Sequence, residues 1–177
     1  MNREDFLTPE TKHLAKIDAP ISIGYGQTNS QPSTVKFMLE LLNPKPGNKV
    51  LDIGSGSGWT TALLAYFVTE KGSVTGLELI PELVKYGNEN LKKYNFKRAK
   101  IEQAQKQTLG KPTETFDRIL VSAAADTFPD ELIKQLNING ILVIPVQNTI
   151  YKVTKASKEK VKKEEFYGFA FVPLISK

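Results

Sequence analysis

Val50-Leu51-Asp52-Ile53-Gly54-Ser55-Gly56-Ser57-Gly58 runs an apolar strand into a loop with glycine at every second position, and a helix begins directly after it. Val50, Leu51 and Ile53 read as a buried parallel strand. Alternate glycines let the chain turn sharply and bring backbone N–H groups close to a ligand. From Trp59 to Val68 the apolar residues recur at helical spacing. Strand, glycine loop and helix in that order predict an open α/β sheet with a nucleotide-type ligand at the turn. The spacing separates two ligand chemistries. A dinucleotide fingerprint, G-x-G-x-x-G, needs a glycine where this chain has Trp59. Gly54-x-Gly56-x-Gly58 is instead the loop expected for S-adenosylmethionine, which has no pyrophosphate to cradle. A tight strand-to-helix turn with no ligand would use the same glycines.

The next apolar run, Val74-Thr75-Gly76-Leu77-Glu78, ends in an acid some twenty residues beyond the loop, where such sheets present a carboxylate to ribose hydroxyls. Glu78 is the candidate ribose ligand. Its competing role is that of an acid favouring a helix N-terminus, because Pro81 and Glu82 open a helix just after it.

Strands and helices alternate along the rest of the chain, which predicts a doubly wound, mostly parallel sheet. The strands fall at 49–53, 73–78, 99–102, 116–122 and 140–146, followed by an antiparallel hairpin whose strands are 149–153 and 166–171. The helices fall at 31–42, 59–69, 81–94 and 129–136, several opened by proline. With 177 residues, 40% of them hydrophobic, one domain is expected. It divides into an arm at 1–30, a cofactor-binding core at 31–146 and a C-terminal hairpin at 147–177.

Composition excludes several functions. There is no cysteine, so thiolate catalysis, disulfides and thiolate metal sites are ruled out, and no cluster of histidine and acids suggests another metal. No run approaches the roughly 18 apolar residues of a membrane helix, and a cytoplasmic protein without a membrane partner is expected. The net charge of +5 is concentrated. Six lysines and three glutamates lie at 151–165, a stretch that reads as a solvated hairpin turn rather than a nucleic-acid surface.

Ligands in these sheets bind beyond the carboxyl ends of the strands. That gathers the Gly54 loop, Glu78, the loop near Gln105 and the segment Ser122-Ala123-Ala124-Ala125-Asp126 around one crevice. The small residues there either leave room for a ligand or merely approach a helix. Ahead of the first strand, the polar stretch Ile23-Gly24-Tyr25-Gly26-Gln27-Thr28-Asn29-Ser30-Gln31-Pro32 reads as a loop. Ser30 or Gln31 would cap the next helix, or the Ser30 hydroxyl and nearby N–H groups would face the cofactor as an anion site.

Gly26-Gln27-Thr28-x-Ser30-Gln31-Pro32, followed by the Leu51 to Gly58 loop, resembles the protein-L-isoaspartate O-methyltransferase family. The likeness begins at Asp5-Phe6-Leu7-Thr8-Pro9 and continues through Phe116 to Ala125, Gly140 to Val146 and Phe171 to Leu174. It implies a class I methyltransferase fold, S-adenosyl-L-methionine as methyl donor, and methyl esterification of the free carboxylate of isoaspartyl residues in damaged proteins or peptides. It also implies that Ser30 is the active-site residue contacting the substrate carboxylate, with Thr28 beside it. The cofactor site it implies takes in Asn29, Gln31, Asp52, Gly54, Ser55, Gly56, Ser57, Gly58, Glu78, Leu79, Lys106 and Gln107. A monomer is expected. The chemistry suits a chain with one histidine, since attack of a carboxylate on a sulfonium methyl needs positioning and desolvation rather than a general base.

The chain departs from the family pattern in three places. Where the family carries Gly-Asp-Gly, with the aspartate accepting from the adenine amino group, this chain has Gln105-Lys106-Gln107. Lys106 is a donor only, so Gln105, Gln107 or backbone atoms must substitute. Asn29 replaces an apolar residue between Thr28 and Ser30. The arm before Phe6 and the stretch after Leu174 are short, which predicts a more open crevice. Two alternatives follow: an enzyme of the same fold acting on a different peptide carboxylate, and a noncatalytic module that has lost the cofactor.

Overall fold

The computed structural model describes residues 1–174. Seven strands form the main sheet in the order β5-β4-β3-β6-β7-β8-β9. They are β3 (Lys49–Ile53), β4 (Ser73–Glu78), β5 (Ala99–Gln103), β6 (Phe116–Val121), β7 (Leu136–Val146), β8 (Thr149–Lys155) and β9 (Val161–Tyr167). The pairings from β5 through β7 are parallel, and β8 and β9 add on antiparallel. The chain leaves β3 toward β4 and β5 on one side and returns on the other side as β6, so the connections diverge between Ile53 and Val121. That divergence opens a crevice at the carboxyl ends of the strands.

Alternate residues of each strand enter opposite layers, as a period of two requires. Val50, Val74, Leu120, Val143 and Ile150 pack with α1 (Pro32–Leu42), α2 (Trp59–Val68) and the end of α3 (Pro81–Lys92). Leu51, Ile53, Ile119, Val121, Leu142 and Ile144 face the other way. That second face is thinly covered. No helix joins β5 to β6, and the predicted helix at 129–136 is reduced to one turn, α4 (Glu131–Lys134). The reason lies in its last residue: Leu136 is fully buried and pairs with Phe116, so the chain becomes β7 four residues earlier than expected.

The lysine-rich stretch differs from expectation as well. It is strand on both sides, pairing Lys155 with Val161 and Lys152 with Glu164, and only residues 156–160 turn. Lys152 and Lys155 lie on β8 and Lys158 and Lys160 in the turn, while the edge strand β9 carries Lys162, which pairs with Glu164, and Lys163, which reaches Asp130. The residues after Tyr167, expected as strand, instead run back to the crevice: Ala124 N–H donates to Val172 O at 2.8 Å and Leu174 N–H donates to Ala124 O at 2.7 Å.

The N-terminal arm docks on α3. Phe6 is fully buried and stacked on Tyr94, with 5.7 Å between ring centroids, and the Tyr94 hydroxyl donates to Asp5 at 2.6 Å. Tyr86 donates to the carbonyl of Leu7 at 2.7 Å. The polar stretch expected as loop is a small hairpin, β1 (Ile21–Gly24) with β2 (Gln27–Asn29). Ile21 and Ile23 alternate inward against Leu7 and Leu83, which makes it a strand despite its glycines. Among the described residues no helix is long and apolar enough to cross a membrane. Phe6→Ala is expected to lower stability by about 3–5 kcal/mol, measured by urea unfolding, because a fully buried ring leaves a cavity under the arm.

Candidate active site

A cavity of about 750 Å³ occupies the crevice. Its walls come from five connections: the end of β2, the loop after β3, the end of β4, the loop 104–110 and the segment from Ser122 to Lys134, with Val172 to Leu174 closing one side. The expected site residues that line it are Thr28, Ser30, Gly54, Gly56, Glu78, Leu79, Lys106 and Gln107.

Glu78 holds this floor together. One carboxylate oxygen accepts from Gly56 N–H at 2.9 Å and the other from Ile80 N–H at 3.0 Å. The acid therefore ties the glycine loop to Ile80, just ahead of α3, which is the helix N-terminal role weighed for it from sequence. Each oxygen keeps a further lone pair for a ligand hydroxyl. Gln103 braces the same corner, its side-chain amide donating to Leu79 O at 2.6 Å.

Ser30 is not a helix cap. The cap of α1 comes from Asp18, 13 to 15 residues upstream, which accepts from Ser33 N–H at 2.9 Å and from the Gln31 side chain at 3.3 Å. Among the described residues nothing hydrogen-bonds the Ser30 hydroxyl, which sits on the cavity wall. Gln31, spent on Asp18, does not line the cavity.

The remaining expected cofactor residues take places behind the wall. Asp52 is fully buried, and the hydroxyls of Thr60 and Thr61 both donate to its Oδ2 at 2.7 Å, while Oδ1 has no partner among the described residues. Asn29, Ser55 and Ser57 border a small adjoining recess of about 20 Å³ that shares Thr28, Ser30, Gly54, Gly56 and Ser122 with the main cavity. The Asn29 amide donates to Ser57 Oγ at 3.3 Å, and Ser55 Oγ is buried without a partner among the described residues. Gly58 opens α2 at φ +87°, and a Cβ there would lie 3.1 Å from the Gly87 carbonyl on α3, so this glycine serves the close approach of two elements. Gly56 likewise has φ +51°, and a Cβ would meet Ile23 of the small hairpin at 3.2 Å. A bulky residue at Gly56 thus strains the loop against β1 as well as narrowing the crevice.

Sequence reasoning did not find Gln135. Buried at the end of α4, it accepts from Lys111 N–H at 2.7 Å and donates to Leu109 O at 2.9 Å, fixing the far end of the loop that carries Lys106. A glutamine at the end of a short helix carries no signal of such a role. The wall formed by Phe128 to Glu131 was missed because that stretch reads as helix.

The family model described as Protein-L-isoaspartate(D-aspartate) O-methyltransferase matches residues 1–177. A protein-L-isoaspartate O-methyltransferase from Methanopyrus kandleri is 40% identical over 98% of this chain and 79% of its own length. One from Thermococcus onnurineus is 42% identical over 96% of this chain and 79% of its own. Among solved structures, one described as a protein-L-isoaspartate O-methyltransferase from Plasmodium falciparum, in complex with S-adenosyl-L-homocysteine, superposes with a TM-score of 0.86 at 29% identity, covering 97% of this chain and 85% of that one.

Burial pushes the Asp52 carboxyl up to about 6; the Thr61 and Thr60 hydrogen bonds hold it down, and the Glu78 charge adds to the rise. The folded protein therefore keeps a proton on Asp52 between about pH 4 and 6 that the unfolded chain has released. The stability this group contributes is full below that window and is lost as pH rises through it, by on the order of 2–3 kcal/mol. Asp52→Asn is expected to gain stability relative to the native chain from pH 4 to pH 7 in urea unfolding; a difference constant across that range would refute the buried titration.

Proposed function

This chain belongs to the protein-L-isoaspartate(D-aspartate) O-methyltransferase family, and from that premise we propose that it transfers the methyl group of S-adenosyl-L-methionine to the free carboxylate of L-isoaspartyl residues in damaged proteins or peptides. The observation that carries the reading is the Ser30 hydroxyl, released from capping by Asp18 and placed on the same cavity wall as Thr28, opposite no competing protein partner among the described residues.

The residues present fit the cofactor. Glu78 offers two anchored carboxylate oxygens to the ribose hydroxyls, and Leu79, Ile80 and Ala104 offer apolar surface for the base. Lys106 lines the cavity where a donor cannot receive the adenine amino group. The side-chain carbonyls of Gln105 and Gln107, both on the wall, and the backbone carbonyls of the same loop are the acceptors that would serve in its place. S-adenosylmethionine supplies a methyl group on a sulfonium, an electrophile that a carboxylate attacks in line.

The protein's part is placement. The Thr28 and Ser30 hydroxyls donate to one carboxylate oxygen of the acceptor, leaving the other to attack, and the apolar stretches of the crevice withdraw water from the nucleophile. No side chain need take a proton, because the acceptor is already an anion at neutral pH.

A second reading, methylation of a different peptide carboxylate, is favoured by the wall at Asp126 to Lys134, where one helical turn leaves the cavity wide. Labelled methyl transfer to a matched isoaspartyl and aspartyl peptide pair separates the two. Strong, base-labile labelling of the isoaspartyl peptide alone is expected; equal labelling of both, or of neither with S-adenosylhomocysteine still bound, would favour the second reading, and no labelling with no cofactor bound would remove both.

Ser30→Ala is expected to lower kcat/KM for the isoaspartyl peptide at least about tenfold while leaving the Kd for S-adenosylhomocysteine, measured by calorimetry, nearly unchanged. Lys106→Asp is expected to tighten that Kd; an unchanged value would mean that the adenine is held elsewhere.

A further inference from the structure

Arg3 is the most heavily hydrogen-bonded side chain among the described residues, and it lies in the arm rather than in any motif around the crevice. It is 7% exposed. Its Nε donates to Asn29 Oδ1 at 2.8 Å and Nη1 to Ile17 O at 2.8 Å. Nη2 donates to Ala19 O at 2.8 Å, Ser30 O at 2.8 Å and Asn29 O at 3.1 Å. The guanidinium also stands over the Trp59 ring, 5.3 Å from its centroid, where α2 leaves the glycine loop.

Among the described residues no carboxylate lies within ion-pair distance of this cation. Burial lowers its pKa and the charge of Asp18 opposes that. A guanidinium buried among neutral carbonyls is an expensive way to hold a fold, and an apolar side chain of similar volume usually serves stability as well. What the apolar side chain lacks is a planar fork with donors in fixed directions, which here grips three segments at once: the arm, the loop at Ile17 to Ala19, and the junction from β2 into α1.

That junction is where Ser30 stands. Asn29 extends the grip, since the same amide that accepts from Arg3 donates to Ser57 Oγ in the glycine loop at 3.3 Å. The polar residue at 29 and the buried arginine therefore form one chain of contacts from the arm, through the Ser30 backbone, to the loop that faces the cofactor.

We propose that Arg3 is a positioning residue for methyl transfer, holding the backbone of Ser30 by the hydrogen bond to its carbonyl and fixing it against the glycine loop through Asn29 and Ser57. The proposal rests on the reading of Ser30 given above. It makes Arg3 act through Ser30 without touching either substrate. Lysine cannot replace it, because a single ammonium with three donors does not span Ile17, Ala19, Asn29 and Ser30 together.

The test is a cycle of Arg3→Lys, Ser30→Ala and the double variant, assayed on the isoaspartyl peptide with S-adenosylhomocysteine affinity and binding stoichiometry measured alongside. Arg3→Lys is expected to lower kcat/KM about tenfold or more, as misplacement of a positioned group does, with cofactor Kd within about threefold and one site per chain. In the Ser30→Ala background the same change is expected to cost less than about twofold, because the group it positions is gone. A merely structural arginine would lower activity equally in both backgrounds, or lower activity and binding stoichiometry together, and either result overturns the proposal. A normal rate for Arg3→Lys beside an impaired Ser30→Ala overturns this proposal alone; a normal rate for Ser30→Ala overturns the Ser30 reading and this one with it. Should Arg3→Lys fail to fold, Asn29→Ala, which removes the Nε contact and the Ser57 link but leaves the buried cation its carbonyls, is put through the same cycle and read the same way.

Discussion

The carboxylate of Glu78 sets the geometry on which the crevice depends. A glycine loop by itself is a turn with many conformations, because glycine loses more freedom on ordering than any other residue. Here the loop is held from one point, with Gly56 N–H on one oxygen and Ile80 N–H on the other, while Gly54 and Ser55 both donate to Leu77 O just before it. The strand β4 thus carries both the peg and the carbonyl that order the loop after β3. A charge-assisted contact of this kind is stronger than an ordinary backbone hydrogen bond and survives at the edge of water. Glu78 also lines the cavity, so the residue that shapes the loop stands at the crevice.

The two faces of the sheet divide the work. Three helices cover one face and bury Val50, Leu120 and Val143 among them. The other face has one helical turn and two long connections, and the cavity lies where those connections part from the sheet. Such a wall needs ties of its own. Gln135 supplies one by bonding Leu109 and Lys111, and the returning segment at Val172 to Leu174 supplies another by bonding Ala124. The arm completes the far rim, where Phe6 and Leu7 bury on α3 and Arg3 secures the residues that lead to Ser30.

Much of this was readable from residues in order. The bounds of β3 and β4 match their sequence reading because each is a short apolar run closed by a loop or a proline, and a strand buried on both faces has few other ways to satisfy its backbone. Both β8 and the antiparallel hairpin were also anticipated, but β9 was displaced. Its lysines and glutamates look like a turn to any composition rule, yet an edge strand takes charged residues on its solvent side without penalty while Phe166 packs inward on Phe37. The hairpin of β1 and β2 was hidden by the opposite bias: Gly24, Tyr25 and Gly26 mark a turn, and two flanking isoleucines are too few to announce a strand.

The candidate site divides along the same line. The glycine loop, Glu78 and the Thr28-to-Ser30 stretch are local patterns, since each draws its meaning from neighbours a few positions away, and the resemblance built on them named the family without any coordinates. What only the tertiary structure decided is which of those side chains face the crevice and which stand behind it. Asp18 took the cap and left Ser30 free, Thr60 and Thr61 took Asp52 into the interior, and Arg3 reached across twenty-six residues to Asn29. Each is a hydrogen bond between groups far apart in the chain, and the direction of a polar side chain is set by whichever partner folding brings within about 3 Å, a choice that no local spacing records.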